Sequence, residues 1–226
     1  TNLSGILTDW GQRLDRQGQV EQTIDAFEEA TRLNAGNGTA WALLGDVLYL
    51  RRSDMAQAIH AWQQAFASAP PGQRQALSSR ISQAQRDHVI ERGFIARQTT
   101  HFVIRTQQAG AVEGDRLEQA LEAAYAQLSR QLGEGPPQLT VIVYTDEALQ
   151  RSFYQRDWAL GFYDGRIRVR LDDIAHAFLE DLVAHEVAHA FLHYRYPGGL
   201  PTWIHEGFAQ LMERGRIQTP ETERIE

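Results

Sequence analysis

Between Val183 and Gln210 the chain reads VAHEVAHAFLHYRYPGGLPTWIHEGFAQ. Its first part, HEVAH, sets His185 and His189 four residues apart with Glu186 directly after the first. Residues four apart on an α-helix share a face, so both imidazoles can reach one cation in the tetrahedral arrangement that zinc prefers. Glu186, turned about 100° from His185 around the helix axis, can hold a water beside the cation without itself becoming a ligand. This spacing points to metal-assisted hydrolysis. The alternative is an amphipathic helix that happens to carry histidines. Against it, Leu182, Val183, Val187, Ala188, Ala190, Phe191 and Leu192 nearly surround the helix, and buried imidazoles and carboxylates are costly unless paired or metal-bound.

Two histidines need a third ligand. The chain has no cysteine, which leaves His, Asp and Glu. His193 continues the four-residue series but lies about 12 Å along the axis from His185, too far to share an ion on a straight helix; it reads as a supporting or surface histidine. In the metzincin arrangement HExxHxxGxxH, the glycine position falls on Leu192 and the last histidine on Arg195, which excludes that family. Glu206 remains. It belongs to a second helix, Pro201 to Gly215, reached through a Pro-Gly-Gly-Leu-Pro turn that can fold the chain back antiparallel beside the first.

HEVAH followed by LPTWIHEGFAQ resembles the gluzincin metallopeptidases, specifically the peptidase MA-like family with its P-x-W-x-x-E-G-x-A second helix. The resemblance covers roughly Phe94 to Arg216. It implies a Zn2+ site of His185, His189 and Glu206 with a fourth position for water, and Glu186 as the catalytic base that passes a proton from water to the leaving amine of a peptide bond. Two departures stand out. Thermolysin-like members place an Asp four residues after the ligand Glu to orient a zinc histidine, where this chain has Gln210; and little chain follows in which to build the helical subdomain that closes the cleft of larger members. Tyr194 and Tyr196 stand near enough for an oxyanion role but read first as packing or surface residues. Trp203 reads as packing that fixes Glu206.

The elements that must position these residues begin with a repeat. Leu7, Gly11, Leu14, Phe27 and Ala30 recur as Trp41, Gly45, Leu48, Trp62 and Ala65, with an offset of 34 that becomes 35 through one extra residue near Arg51 to Asp54. That is the period and residue pattern of tetratricopeptide helix pairs, here Ser4 to Ala35 and Gly38 to Pro71, with Trp10, Trp41 and Trp62 filling helix interfaces. Two repeats leave an open end, and Gly72 to Gly93 reads as a capping helix with Ala76, Leu77, Ile81, Ala84 and Val89 turned inward. Beyond it, HFVIRT (His101 to Thr106) and LTVIVYT (Leu139 to Thr145) read as strands, separated by a helix from Val112 to Leu132. In GFYDGRIRVRL, Asp164-Gly165 is a favoured two-residue hairpin turn. The alternation of Ile167, Val169 and Leu171 with Arg166, Arg168 and Arg170 predicts one buried and one wet face, as on a sheet edge that could hold an extended substrate. Helix resumes from Ala175 to Tyr194.

The expected fold is α+β: an all-α helical-repeat unit over residues 1–93, followed by a zincin-like α+β domain over residues 94–226. The net charge of −7, pI near 5.6 and absence of a basic run exclude an extended nucleic-acid face, and no apolar stretch approaches the roughly 20 residues of a membrane span. The chain starts on Thr1 rather than Met, so a leader, an anchor or further domains are expected before it, and an extracytoplasmic setting is favoured over a cytoplasmic one. All 22 basic residues are arginine, for which no functional account follows. The expected activity is zinc-dependent hydrolysis of a peptide or protein substrate, with the repeats docking substrate or a protein partner. The alternative is an inactive, peptidase-like binding or scaffold protein.

Overall fold

A computed structural model describes residues 3–107, 111–145, 161–175 and 178–214. Helices α1 (Leu3–Arg16), α2 (Val20–Leu33), α3 (Gly38–Val47) and α4 (Met55–Ser68) form two helical hairpins packed side by side. The same contact is built twice. A Cβ on Gly11 would stand 2.5 Å from the ring of Phe27, and one on Gly45 would stand 2.5 Å from that of Trp62. Each glycine thus lets its helix approach the large aromatic of the partner helix. The extra residue of the second unit is absorbed by a π-helical turn, Leu48–Arg52, closed by Ser53 in the left-handed region at φ 54°; such a turn is an α-helix with one residue inserted. Trp62 is buried and Trp41 partly so, whereas Trp10, expected at an interface, is 52% exposed.

Helix α5 (Pro71–Ile90) covers α4. Leu77, Ile81 and Ala84 face the hairpins, and the same stripe continues into Asp87 and Glu91, both buried. Val89, expected on this face, is 74% exposed. The stripe turns polar at its end because a second layer lies there.

That layer is a five-stranded sheet of order β1-β2-β3-β5-β4, comprising β1 (Ile95–Gln98), β2 (Phe102–Thr106), β3 (Leu139–Tyr144), β4 (Gly161–Tyr163) and β5 (Ile167–Arg170). β2, β3 and β5 run parallel, and the outer strands are antiparallel to their neighbours. Helix α6 (Ala111–Leu132) makes the β2-to-β3 crossover and buries Leu117, Ala120, Leu121, Ala124 and Leu128. One face of the sheet, with Phe102, Ile104, Val141, Val143, Ile167 and Val169, forms the main core with α6 and the helices described below.

Three features correct the sequence reading. β1, too short and polar to announce itself, pairs with β2. The Asp164-Gly165 turn is a three-residue connection that includes Arg166, because Tyr163 pairs with Ile167. Most consequentially, β5 is not an edge: β3 and β4 flank it, and Arg166 and Arg168 on its supposedly wet face are 0% exposed. The physical reason is the helical layer behind the sheet. Arg168 pairs with Asp87 at 2.9 Å and with Asp164 at 3.0 Å, and donates to the Tyr49 hydroxyl at 2.7 Å. Arg166 pairs with Glu91, and the Tyr144 hydroxyl donates to Glu91 at 2.7 Å. Burial pushes the Asp87 carboxyl up, but Arg168 and Arg166 outweigh it and hold it below the usual carboxylate value. The Thr140 hydroxyl donates to the Leu50 carbonyl at 2.6 Å, joining β3 to the π-helical turn.

Candidate metal centre

HEVAH lies on α7 (Leu179–Arg195). Glu180 and Asp181 in the first turn and Arg195 in the last complement the helix dipole. Val183, Val187, Ala190 and Phe191 are buried in the main core, and Gly135 makes room for Phe191, since a Cβ there would fall 2.2 Å from its ring. The chain then turns through Gly199, at φ 82°. It enters α8 (Thr202–Arg214), where the N–H groups of Ile204 and His205 donate to the Pro201 carbonyl at 2.9 and 3.3 Å. α8 packs along α7 through His205, Ala209 and Met212, spaced as one helical face.

This fold-back brings the three expected ligands together. The Nε2 atoms of His185 and His189 are 3.2 Å apart, and the Glu206 carboxylate stands 3.7 Å from each. One ligand atom from each of the three lies within 4.8 Å of the others, and no further group of three or more such residues occurs among the described residues. Tetrahedral ligands at zinc distances stand roughly 3.3 Å from one another, so the spacing fits a single ion, and two nitrogens with one carboxylate oxygen suit zinc. Burial, then the His185, His205 and His193 rings, lowers the His189 pKa to about 4. The imidazole is therefore neutral at physiological pH, as a ligand must be.

The catalytic candidate, Glu186, is buried beside His185. Gln210 is exposed and takes no part in the centre, whereas Glu213, seven residues after Glu206, stands 3.4 Å from Nδ1 of His185. A carboxylate on the far nitrogen fixes the ring's tautomer and turns Nε2 inward. Glu213 is not signalled by the position one turn after Glu206; two turns along α8 lies on the same face. His205, also unsignalled, is buried, stacks on His189 with ring centroids 5.9 Å apart and approaches His193 at 4.8 Å. The antiparallel return that delivers Glu206 necessarily sets its predecessor one step nearer the C-terminal end of α7.

The exposed ring of His193 lies 5.4 Å from that of Tyr163 on β4. Burial, then His205, lowers its pKa. Tyr194 donates its hydroxyl to the Arg16 carbonyl at 3.1 Å, bracing α7 against α1, and Tyr196 is exposed. Trp203, expected to pack beneath Glu206, is 76% exposed: it sits about 200° around the helix from His205 and so points away from α7. The edge on this side of the sheet is β4 rather than β5, and β4 lies against α7.

No protein-family model matches the chain, and it has no significant match among the curated proteins or the solved structures.

Proposed function

We propose that this protein is a zinc-dependent peptide hydrolase of the gluzincin type, carrying tetratricopeptide-like hairpins that dock a substrate or protein partner. One observation carries the reading: two imidazole nitrogens and a carboxylate converge within 4.8 Å on antiparallel helices, with Glu186 next to the first histidine. The recurring pairs, Gly11 with Phe27 and Gly45 with Trp62, support the reading of the hairpins.

In this proposal His185, His189 and Glu206 hold the ion, and Glu213 keeps the His185 proton on Nδ1. Zinc held there supplies a Lewis acid that acidifies water and polarises a carbonyl. The Glu186 carboxylate takes a proton from the attacking water and delivers it to the leaving amine nitrogen. β4, at the end of the sheet nearest α7, offers backbone groups to an extended substrate.

Elemental analysis of wild type and Glu206→Gln, with peptide cleavage measured with and without a chelator, tests the proposal. Wild type holds one zinc and the variant loses it. Glu186→Gln keeps the metal but loses a factor of about 10² to 10⁴ in rate. Zinc bound with no cleavage would leave a peptidase-like binding module; zinc retained by Glu206→Gln would overturn the ligand set.

A further inference from the structure

A cavity of about 730 Å³ lies where the helical hairpins meet the C-terminal turns of α7, within the volume range of sites that enclose small ligands. Leu43 and Leu50 from the hairpin side, with Leu139 and Tyr163 from the sheet, give it an apolar floor, and His193 is part of its lining. We propose that this cavity binds an acidic, apolar-flanked stretch of the polypeptide substrate next to the scissile bond, so that the hairpins form one wall of the substrate cleft. The inference rests on the hydrolase reading above and adds its specificity.

Three observations lead there. The cavity lies close to the candidate centre: His193, in its lining, follows His189 by one turn on the same face of α7, about 6 Å along the axis, and an extended peptide covers that distance in roughly two residues. Tyr163 joins the two regions, because it ends the edge strand β4 and its ring touches that of His193. The third observation is charge. Of the acidic groups lining the cavity, Asp15 pairs with Arg51 at 3.5 Å, and Asp46 pairs with Arg80 and accepts from the Trp62 indole at 3.0 Å. Arg16 and Arg195, at the exposed rim, pair with no carboxylate among the described residues. On a chain of net charge −7, two uncompensated guanidinium groups above an apolar floor select a ligand with apolar side chains and carboxylates.

The test uses the full chain with Glu186→Gln, loaded with zinc, and two labelled ten-residue peptides of equal apolar content, one containing Leu-Glu-Phe-Asp and the other Leu-Lys-Phe-Arg. Fluorescence anisotropy at low salt should show the acidic peptide bound at least about tenfold more tightly, with the margin shrinking in 0.5 M salt as screening predicts. Arg16→Glu with Arg195→Glu, both at exposed positions, should reverse the preference. Leu43→Trp, which fills the floor, should weaken both peptides while circular dichroism and zinc content stay at wild-type values. Equal affinity for the two peptides, or a preference untouched by the double charge reversal, overturns the proposal whether or not Leu43→Trp folds. The two readings fail separately: cleavage by wild type that is indifferent to the rim variants removes the cavity proposal and spares the hydrolase, whereas acidic-peptide binding with no cleavage does the reverse.

Discussion

Two clusters of charged and polar side chains lie on opposite faces of the same sheet, and they are built by opposite rules. Behind the sheet, Arg166, Arg168, Asp87 and Glu91 are almost wholly removed from solvent, and each guanidinium ends on carboxylates or on the tyrosine hydroxyls of the same cluster. Across the core, the Nε2 atoms of His185 and His189 and the Glu206 carboxylate converge, and the Glu206 side chain is 50% exposed. The first cluster compensates its own charge, with the buried Nε of Arg166 left without a hydrogen bond. The second gathers two ring nitrogens and a carboxylate that could hold a cation, and it stays open to solvent. Burial with near-complete pairing distinguishes the first cluster, and partial exposure with converging ligand-type atoms distinguishes the second.

The largest effect expected from breaking this comparison comes from the buried side. Arg168→Met removes the cation that faces Asp87, Asp164 and two tyrosines and leaves Arg166, at 3.4 Å, as the remaining cation on Asp87, beside the Tyr49 and Gln83 hydrogen bonds. Removing one partner of a buried ion pair costs about 3–5 kcal/mol, a large share of the roughly 5–15 kcal/mol by which a folded chain is stable. Urea unfolding should show the midpoint falling by that equivalent. Because the cluster ties α5 to β5, cleavage and zinc content should follow folding rather than change independently. A loss below about 1 kcal/mol would mean that the cluster is not the joint between the layers.

How much could be read beforehand follows the same division. The juxtaposition of His185, His189 and Glu206 was legible because its information is local: HEVAH fixes two imidazoles within one turn, and the Pro-Gly-Gly-Leu-Pro turn allows the return that brings Glu206 alongside. Helix α6 was legible too, since its buried residues repeat at helical spacing. Alternation along β5 correctly put Ile167 and Val169 on a core face, but it could not say what covered the other. An arginine face reads as wet unless the chain supplies carboxylates from another layer, and Asp87 and Glu91 lie far away in sequence at the end of a helix chosen for its apolar stripe. Trp203 failed in the reverse direction. Its size suggested burial, but the packed face of α8 is set by His205, Ala209 and Met212.

The next effect sharpens the other side of the comparison. Glu213 is outside the ligand set and touches only the far nitrogen of His185. Replacing such a supporting carboxylate typically costs 10- to 100-fold in metal affinity, so competition with a chromogenic chelator should place Glu213→Gln in that interval below wild type. Glu213→Asp should recover part of the loss if the shortened side chain still reaches Nδ1. Because Glu213 is partly exposed, unfolding of the metal-free protein should scarcely change. Loss of stability without loss of affinity would make Glu213 a surface charge and return the question of what orients His185.

The smallest effect appears only in acid. Asp87 is held below its ordinary value by Arg168 and Arg166 against the cost of burial, so its charged form is favoured more in the folded chain than in the unfolded one. The stability this contributes is fully present above the unfolded carboxylate value near 3.9 and is lost as pH falls through the lower folded value. Metal-free protein in excess chelator should therefore keep level stability from about pH 7 to 5 with respect to this group and lose it below about pH 4. Arg168→Met removes a principal cause of the depression and should flatten that acid limb even as it lowers the whole curve. An acid limb equally steep in the variant would assign the proton uptake to other carboxylates. In that case the ion pairs behind the sheet would account for the position of the layers but not for the acid limit of the fold.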